Sequence, residues 1–343
     1  MTTEEFTNVR SQRFGTGSVE ALGEELGRFA VASMEVPWRV TANRLGGDPV
    51  AVLMVESMEV EVLERQCESL PECDTIVGVG GGQAIDLAKY CAWKRGIRLV
   101  TIPTVLSVDA FVTPAAGVRR NHQVEYVGTT SPDPLVIDYD LLRTAPAELN
   151  IAGVGDLLSI HTATFDWCLA EQSGKSEYPF SQSDVDRARG ILEQVLQLGD
   201  HIRDCTDQGL QAIVDGYMAV NTICLPANHY RVEEGSEHYL FYELESRLQR
   251  PFIHGHIVGL GIYLMSRLQD NEPTRITEFM DRVGLLYQPA EMDISRMDLE
   301  QSLLSLANFV CERPHLWYTV INEREIERSW IQSVLSELKF HPV

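Results

Sequence analysis

Lysine is scarce in this chain: only Lys89, Lys94, Lys175 and Lys339 are found among its 28 basic residues, against 50 Asp and Glu. The formal charge of −22 excludes general binding to nucleic acid or to anionic membranes, since both require a surplus of cations. It leaves room for a small anion held by local donors. Long apolar runs are also missing: no stretch approaches the ~18 uninterrupted apolar residues of a membrane-spanning helix. The opening MTTEEFTNVR lacks the basic-then-apolar order of a signal peptide, so a cytoplasmic protein is expected. The seven cysteines are odd in number and form no C-x-x-C pair, which argues against a disulfide framework or a cysteine zinc site and predicts reduced thiols. Internal repeats and low-complexity tracts are absent as well.

What is present centres on Asp74–Lys89, DTIVGVGGGQAIDLAK. Thr75–Val79 is apolar and β-branched enough for a buried parallel strand, and Gln83–Trp93 carries Ala84, Leu87, Ala88 and Cys91 at helical spacing. Gly80, Gly81 and Gly82 lie between them, where uncapped N–H groups and the helix dipole favour an anion such as a pyrophosphate. The alternative is a glycine-rich corner that binds nothing. Asp86 and Lys89, one helical turn apart, read as a structural ion pair behind this turn.

Around this motif, Ser18–Val31 has helical periodicity, Val36–Thr41 and Pro49–Glu56 read as short strands, Met58–Leu70 as a helix and Arg98–Pro103 as the next strand. Strands and helices alternating at this spacing predict a mostly parallel, doubly wound sheet. From Val112 to Asp138, polar–apolar alternation with turns at Arg120–His122 and Ser131–Pro134 predicts an antiparallel excursion before a strand at Leu135–Asp138. Beyond Ala147 the pattern is helical: Asp156–Glu171, Ser183–Gly199, Gly209–Ala227, Glu234–Leu248, Ile257–Asp270, Arg275–Val283, Leu299–Arg313 and Glu323–Phe340. The expected class is α/β, a Rossmann-like domain over 1–150 followed by an all-helical domain over 151–343.

Metal-ligating residue types gather at predicted helix starts. Asp156 follows Gly-Val-Gly, His238 stands in EEGSEH, and His254 and His256 occur in IHGH. One Asp and two His from three helix starts suffice for a mononuclear divalent site with open positions. Residues two apart on a helix point about 200° away from each other, so only one of His254 and His256 can join it. His161 and His229 are further candidates, and spacing alone selects none of them.

Five motifs in register, GVGGGQAIDLAK, IPTVLSVDAFVTP, GVGDLLSIHTATFDWCLA, GSEHYLFYELE and IHGHIVGLG, resemble the sn-glycerol-1-phosphate dehydrogenases. Those enzymes belong to the superfamily of iron-containing alcohol dehydrogenases and dehydroquinate synthases, and the likeness runs from about Phe14 to Arg324. The resemblance implies a dehydroquinate-synthase-like fold, with NAD or NADP on the N-terminal sheet and a divalent metal (zinc, iron or nickel) held by the helical domain. It assigns Asp156, His238 and His254 as metal ligands and Gly80, Gly81, Gly82, Gln83 and Ala84 to the pyrophosphate. Thr104, Ser107 and Thr113 fall on the nicotinamide side and Asp109 toward the substrate. Asp109, His256 or a water is left as proton carrier. Self-association into a homo-oligomer is a further implication.

Departures fall on the substrate side. The family's S-R-P-[AC]-S-G-[AS]-E-H is YRVEEGSEH here, its second His four residues after the first ligand His is Tyr242, and its HGE is HGH. Tyr242 shares a helical face with His238 and donates a hydrogen bond but carries no positive charge, which weakens the case for a phosphate there. The expected function is a metal-dependent NAD(P)-linked reduction of a small polar ketone, or the reverse oxidation, with dihydroxyacetone phosphate and glycerol-1-phosphate as the reference pair. The alternatives are a sugar-phosphate cyclase, disfavoured by Asp156 in place of Glu and by the four lysines, and a non-catalytic binding relative. Arg39, Arg44 and Asp48 give opposite indications on NAD against NADP.

Overall fold

Successive residues of the central strands go to opposite faces of one sheet. Phe29, Val31, Val77, Val79, Val100 and Ile102 pack with Val19, Leu22 and Leu45, whereas Ala30, Ala32, Ile76 and Leu99 pack with Leu63, Leu87 and Ala88. Burial on both faces is why these strands read as continuous apolar runs. The computed structural model describes residues 8–121 and 123–342, and its chain divides into two compact units, Met1–Asn150 and Ile151–Val343.

The first unit contains strands β1 (Gln12–Phe14), β2 (Phe29–Ser33), β3 (Val52–Met54), β4 (Thr75–Gly80), β5 (Arg98–Pro103), β6 (Ala116–Arg120), β7 (Gln123–Val127) and β8 (Pro132–Ile137). Six of them form one parallel sheet in the order β1-β8-β5-β4-β2-β3, and β6 and β7 form a separate antiparallel hairpin. That hairpin is the expected excursion; of the turn expected at Arg120–His122, His122 lies outside the described residues. The helices are α1 (Glu35–Thr41), α2 (Val60–Ser69), α3 (Gly82–Arg95), α4 (Tyr139–Leu142) and α5 (Ala147–Ile151).

Two expectations fail near the start. Val36–Thr41 is helical rather than extended: Pro37 lies in the first turn of α1, where its missing N–H costs nothing, and this outweighs the β-branched Val36, Val40 and Thr41. The helix expected over Ser18–Val31 is a short 3₁₀ segment, Glu20–Leu26, interrupted at Gly23 (φ 42°). Its last residues instead enter β2, hydrogen-bonded between β3 and β4. Sheet pairing overrode local periodicity there. The strand β1 and the short helices α4 and α5 went unpredicted; Asp138 ends β8 by capping α4 through Asp140 N and Leu141 N.

The second unit is helical among its described residues: α6 (Val154–Gln172), α7 (Gln182–Gln197), α8 (Gly199–Arg203), α9 (Asp207–Ala227), α10 (Ser236–Leu248), α11 (His254–Gln269), α12 (Pro273–Val283), α13 (Arg296–Cys311), α14 (Val320–Glu323) and α15 (Arg328–Glu337). The helix expected over Glu323–Phe340 is the shorter α15, and the separate turn α14 ends where that expectation begins. No helix among the described residues is long and apolar enough to cross a membrane.

Close backbone approach arranges three of these helices. A Cβ on Gly155 of α6 would stand 2.3 Å from Gly255 O, and one on Gly255 of α11 only 1.7 Å from Ala152 O. A Cβ on Gly261 would meet Glu237 O of α10 at 2.4 Å. Glycine at these positions lets α6, α10 and α11 touch backbone to backbone. Each contact adjoins one of the residues described next.

Candidate metal centre and nucleotide turn

Asp156, His238 and His254 each offer one ligand atom within 4.8 Å of the others. Asp156 is in the first turn of α6, His238 in the first turn of α10, and His254 opens α11. Asp156 Oδ1 lies 3.0 Å from His254 Nε2 and 3.9 Å from His238 Nε2. That oxygen is buried and accepts no hydrogen bond among the described residues. Leaving a buried carboxylate oxygen unpaired costs about 1–3 kcal/mol, a cost that a bound cation removes. Its other oxygen accepts from Tyr217 Oη of α9 at 3.4 Å, and the same hydroxyl donates to Gly153 O at 2.6 Å.

Glu237 completes the arrangement. Its Oε1 lies 2.8 Å from His238 Nδ1 and also accepts from Gly235 N at 2.6 Å. A carboxylate acceptor at Nδ1 holds a ring proton there and turns Nε2 toward Asp156 and His254, the nitrogen that would bind a cation on losing its own proton. Burial drives His238 toward the neutral form, yet Glu237, Glu234 and Asp156 outweigh it and hold its pKa up at about 9. Glu234 is itself pushed up by burial, against the pull of His238 and His254. The group's mixed carboxylate and imidazole donors fit a divalent transition metal.

The remaining candidates divide clearly. His256, 3% exposed and two residues beyond His254, is outside the three-residue group, as the helical rotation requires. His161 bonds Asn271 O through Nε2 at 2.7 Å, and His229 stacks on Tyr178 with ring centroids 4.4 Å apart; neither joins the group. Tyr242 is one turn after His238, their rings 6.4 Å apart, and Phe241 stands edge-on to His254 at 4.9 Å.

In the first unit, Gly80 closes β4 at φ +146°, and Gly81 is the N-cap of α3 without a side-chain cap. The first N–H groups of Gly82, Gln83 and Ala84 are thereby left for an outside acceptor or water. Thr104 N donates to Gly80 O at 3.0 Å and starts a loop through Ser107, Asp109 and Thr113 that folds back over the turn. A Cβ at Gly81 would lie 3.0 Å from Val105 Cγ2, and one at Gly82 2.7 Å from Val108 Cγ1. The chain's own valines therefore account for two of the three glycines. The Asp86–Lys89 ion pair is present at 2.8 Å, and Lys89 also donates to Thr113 Oγ1 at 3.3 Å.

Glu237, Tyr217 and the glycines of the helix contacts were not identified from the sequence. Only the adjacency of Glu237 to His238 could have signalled one of them.

Residues 32–146 match the model of the iron-containing alcohol dehydrogenase family. The glycerol-1-phosphate dehydrogenase [NAD(P)+] of Hyperthermus butylicus is 28% identical over 326 residues, covering 90% of this chain and 91% of that protein. The enzyme of the same name from Methanosphaera stadtmanae is 25% identical over 357 residues, covering 99% of each. Among solved structures, a probable glycerol dehydrogenase from Sinorhizobium meliloti superposes with a TM-score of 0.73 at 21% identity, covering 96% of both chains, a likeness of fold. Over residues 32–146 the chain thus resembles the iron-containing alcohol dehydrogenases, and over nearly its whole length it is similar to proteins named glycerol-1-phosphate dehydrogenase.

Proposed function

We propose that this protein is a cytoplasmic, metal-dependent NAD(P)-linked oxidoreductase that reduces a small polar ketone or oxidises the corresponding secondary alcohol, and that it self-associates. The observation that carries this reading is the buried Asp156–His238–His254 group with its unpaired carboxylate oxygen. The glycerol-1-phosphate dehydrogenase relatives, named for NAD(P)+, supply the reference pair of dihydroxyacetone phosphate and glycerol-1-phosphate.

In this reading a divalent ion supplies Lewis acidity at the ketone oxygen and a nicotinamide supplies the hydride. Asp156, His238 and His254 hold the ion, and Glu237 keeps His238 Nε2 aimed at it. The N–H groups of Gly80–Ala84 take the pyrophosphate, and Thr104, Ser107 and Thr113 line the nicotinamide. Asp109, partly exposed, is better suited to exchange a proton with solvent than His256, which is buried. Residues 1–150 thus bind nucleotide, and residues 151–343 bind metal and substrate.

A second substrate reading, an unphosphorylated polar ketone, is favoured by one feature. Glu234 and Tyr242 stand in the helical unit where the family pattern has Ser and His, adding a negative charge and removing a cation. A phosphate dianion is poorly matched to that surround.

The test is NAD(P)H oxidation by metal-reconstituted protein with dihydroxyacetone phosphate and a panel of unphosphorylated ketones, beside an Asp156→Ala control. Turnover that vanishes in the control supports the oxidoreductase reading, and the preferred ketone chooses between the two substrates. No turnover on any ketone, with metal and nucleotide bound, would overturn it.

A further inference from the structure

Lys89 is 1% exposed, and all three of its ammonium protons are engaged. It lies 2.8 Å from Asp86 Oδ1 and donates to Ala110 O at 2.9 Å and to Thr113 Oγ1 and O at 3.3 and 3.4 Å. An ordinary i,i+3 pair on a helix surface points outward and contributes little. This one points inward, at the cost of desolvating a lysine, and directs three of its contacts, to two residues, away from its own helix.

Those contacts fall on one loop. Asp109–Phe111 is a single 3₁₀ turn, closed by Val112 N and Thr113 N bonding Asp109 O at 2.8 and 3.3 Å. Ala110 O and Thr113, on either side of that closure, are both held by the lysine. Asp86 reaches the other way: its Oδ2 lies 3.1 Å from where a Cβ on Gly117 of β6 would stand, so the hairpin backbone packs directly on the carboxylate. One buried pair therefore joins α3, the Asp109–Thr113 loop and the β6–β7 hairpin.

We propose that Lys89 is a positioning residue for the bound nucleotide, fixing Asp109 and Thr113 relative to the glycine turn at the head of α3. The inference rests on reading this unit as nucleotide-binding. Lys89 and the glycine turn share one rigid helix, so the lysine sets the spacing between the pyrophosphate donors and the loop that faces the nicotinamide. Removing it leaves the turn intact and frees the loop. The nicotinamide end of the ligand then loses its contacts while the ADP end keeps them.

The experiment compares NADH and ADP-ribose binding by fluorescence and calorimetry in the full-length, metal-free protein. The variants are the neutral pair Asp86→Asn/Lys89→Met, which leaves no buried charge unpaired, and Lys89→Arg, which keeps the positive charge beside Asp86 but puts a larger planar group where the compact ammonium meets Ala110 and Thr113. NADH affinity is expected to fall about tenfold or more in the double variant and less in Lys89→Arg, with ADP-ribose affinity within twofold of wild type. Equal weakening of both ligands, or no change in either, would overturn the positioning role. If the double variant does not fold, Lys89→Arg decides by the same ratio. Failure of the wild type to bind either ligand would remove the nucleotide reading itself, and the inference with it.

Discussion

Glu237 Oε1 and His238 Nδ1 are 2.8 Å apart, and the glutamate is fully buried. Adjacent residues on a helix point about 100° apart, so this bond bends back along the first turn of α10 and locks the imidazole. Orienting carboxylates of this kind typically alter metal affinity 10–100-fold. Glu237→Ala is expected to weaken metal binding by about that range, and Glu237→Gln, which can still accept from Nδ1–H, by about tenfold. Competition with a chelator measures this directly; unchanged affinity in both variants would show that the bond orients nothing.

Gly255 and Gly190 make a contrasting pair. A methyl group on Gly255 meets Ala152 O at 1.7 Å, whereas one on Gly190 of α7 has nothing within 4 Å. Gly255→Ala should destabilise the fold by about 3 kcal/mol or more and displace His254. Gly190→Ala should instead stabilise it by about 0.5–1 kcal/mol, as alanine is favoured in a helix interior. Urea midpoints at constant m-value are the measurement, and a neutral Gly255→Ala would contradict the close contact.

Asp166 supplies a pH signature. Its carboxylate accepts from Ser236 N and Val320 N, each at 2.8 Å, capping α10 and α14 together. Burial, followed by the charge of Glu237, pushes its pKa from 3.8 up to about 6. The folded state therefore binds more protons than the unfolded chain between about pH 4 and 6. This residue's contribution to stability should grow as pH falls through 6 toward 4 and be lost as pH rises through 6. Relative to Asp166→Asn, the wild type should gain at most about 3 kcal/mol across that window. Parallel denaturation curves for the two proteins at pH 4.5 and 7 would show the reverse, since effects common to both cancel.

Glu234 and Tyr242 bear on substrate charge. Replacing them with the residues of the family pattern, Glu234→Ser/Tyr242→His, removes one negative charge and adds a protonatable group beside His238. The ratio of kcat/KM for dihydroxyacetone phosphate to that for an unphosphorylated ketone should rise by about tenfold or more, mainly through KM. A ratio that stays constant would place the selection elsewhere.

The sequence by itself determined the local elements with strong one-dimensional signals. The strand–glycine–helix unit at Thr75–Arg95 was legible because glycines, β-branched residues and helical periodicity act over a few residues. The geometry of a helix also dictated that His254 and His256 could not both face one ion. Where local signals compete they mislead: Val36–Thr41 combines β-branched residues with a proline in a first helical turn, and Phe29–Val31 continues a helical periodicity although its pairing with β3 and β4 comes from distant segments.

Only the tertiary structure decided that Asp156 and His254 stand 3.0 Å apart, since that depends on Gly155 meeting Gly255 across two helices. It also decided that Lys89 serves the Asp109–Thr113 loop as well as Asp86. Both are contacts between residues remote in the chain, set by close packing and by the need to satisfy buried charge, and no local pattern encodes them.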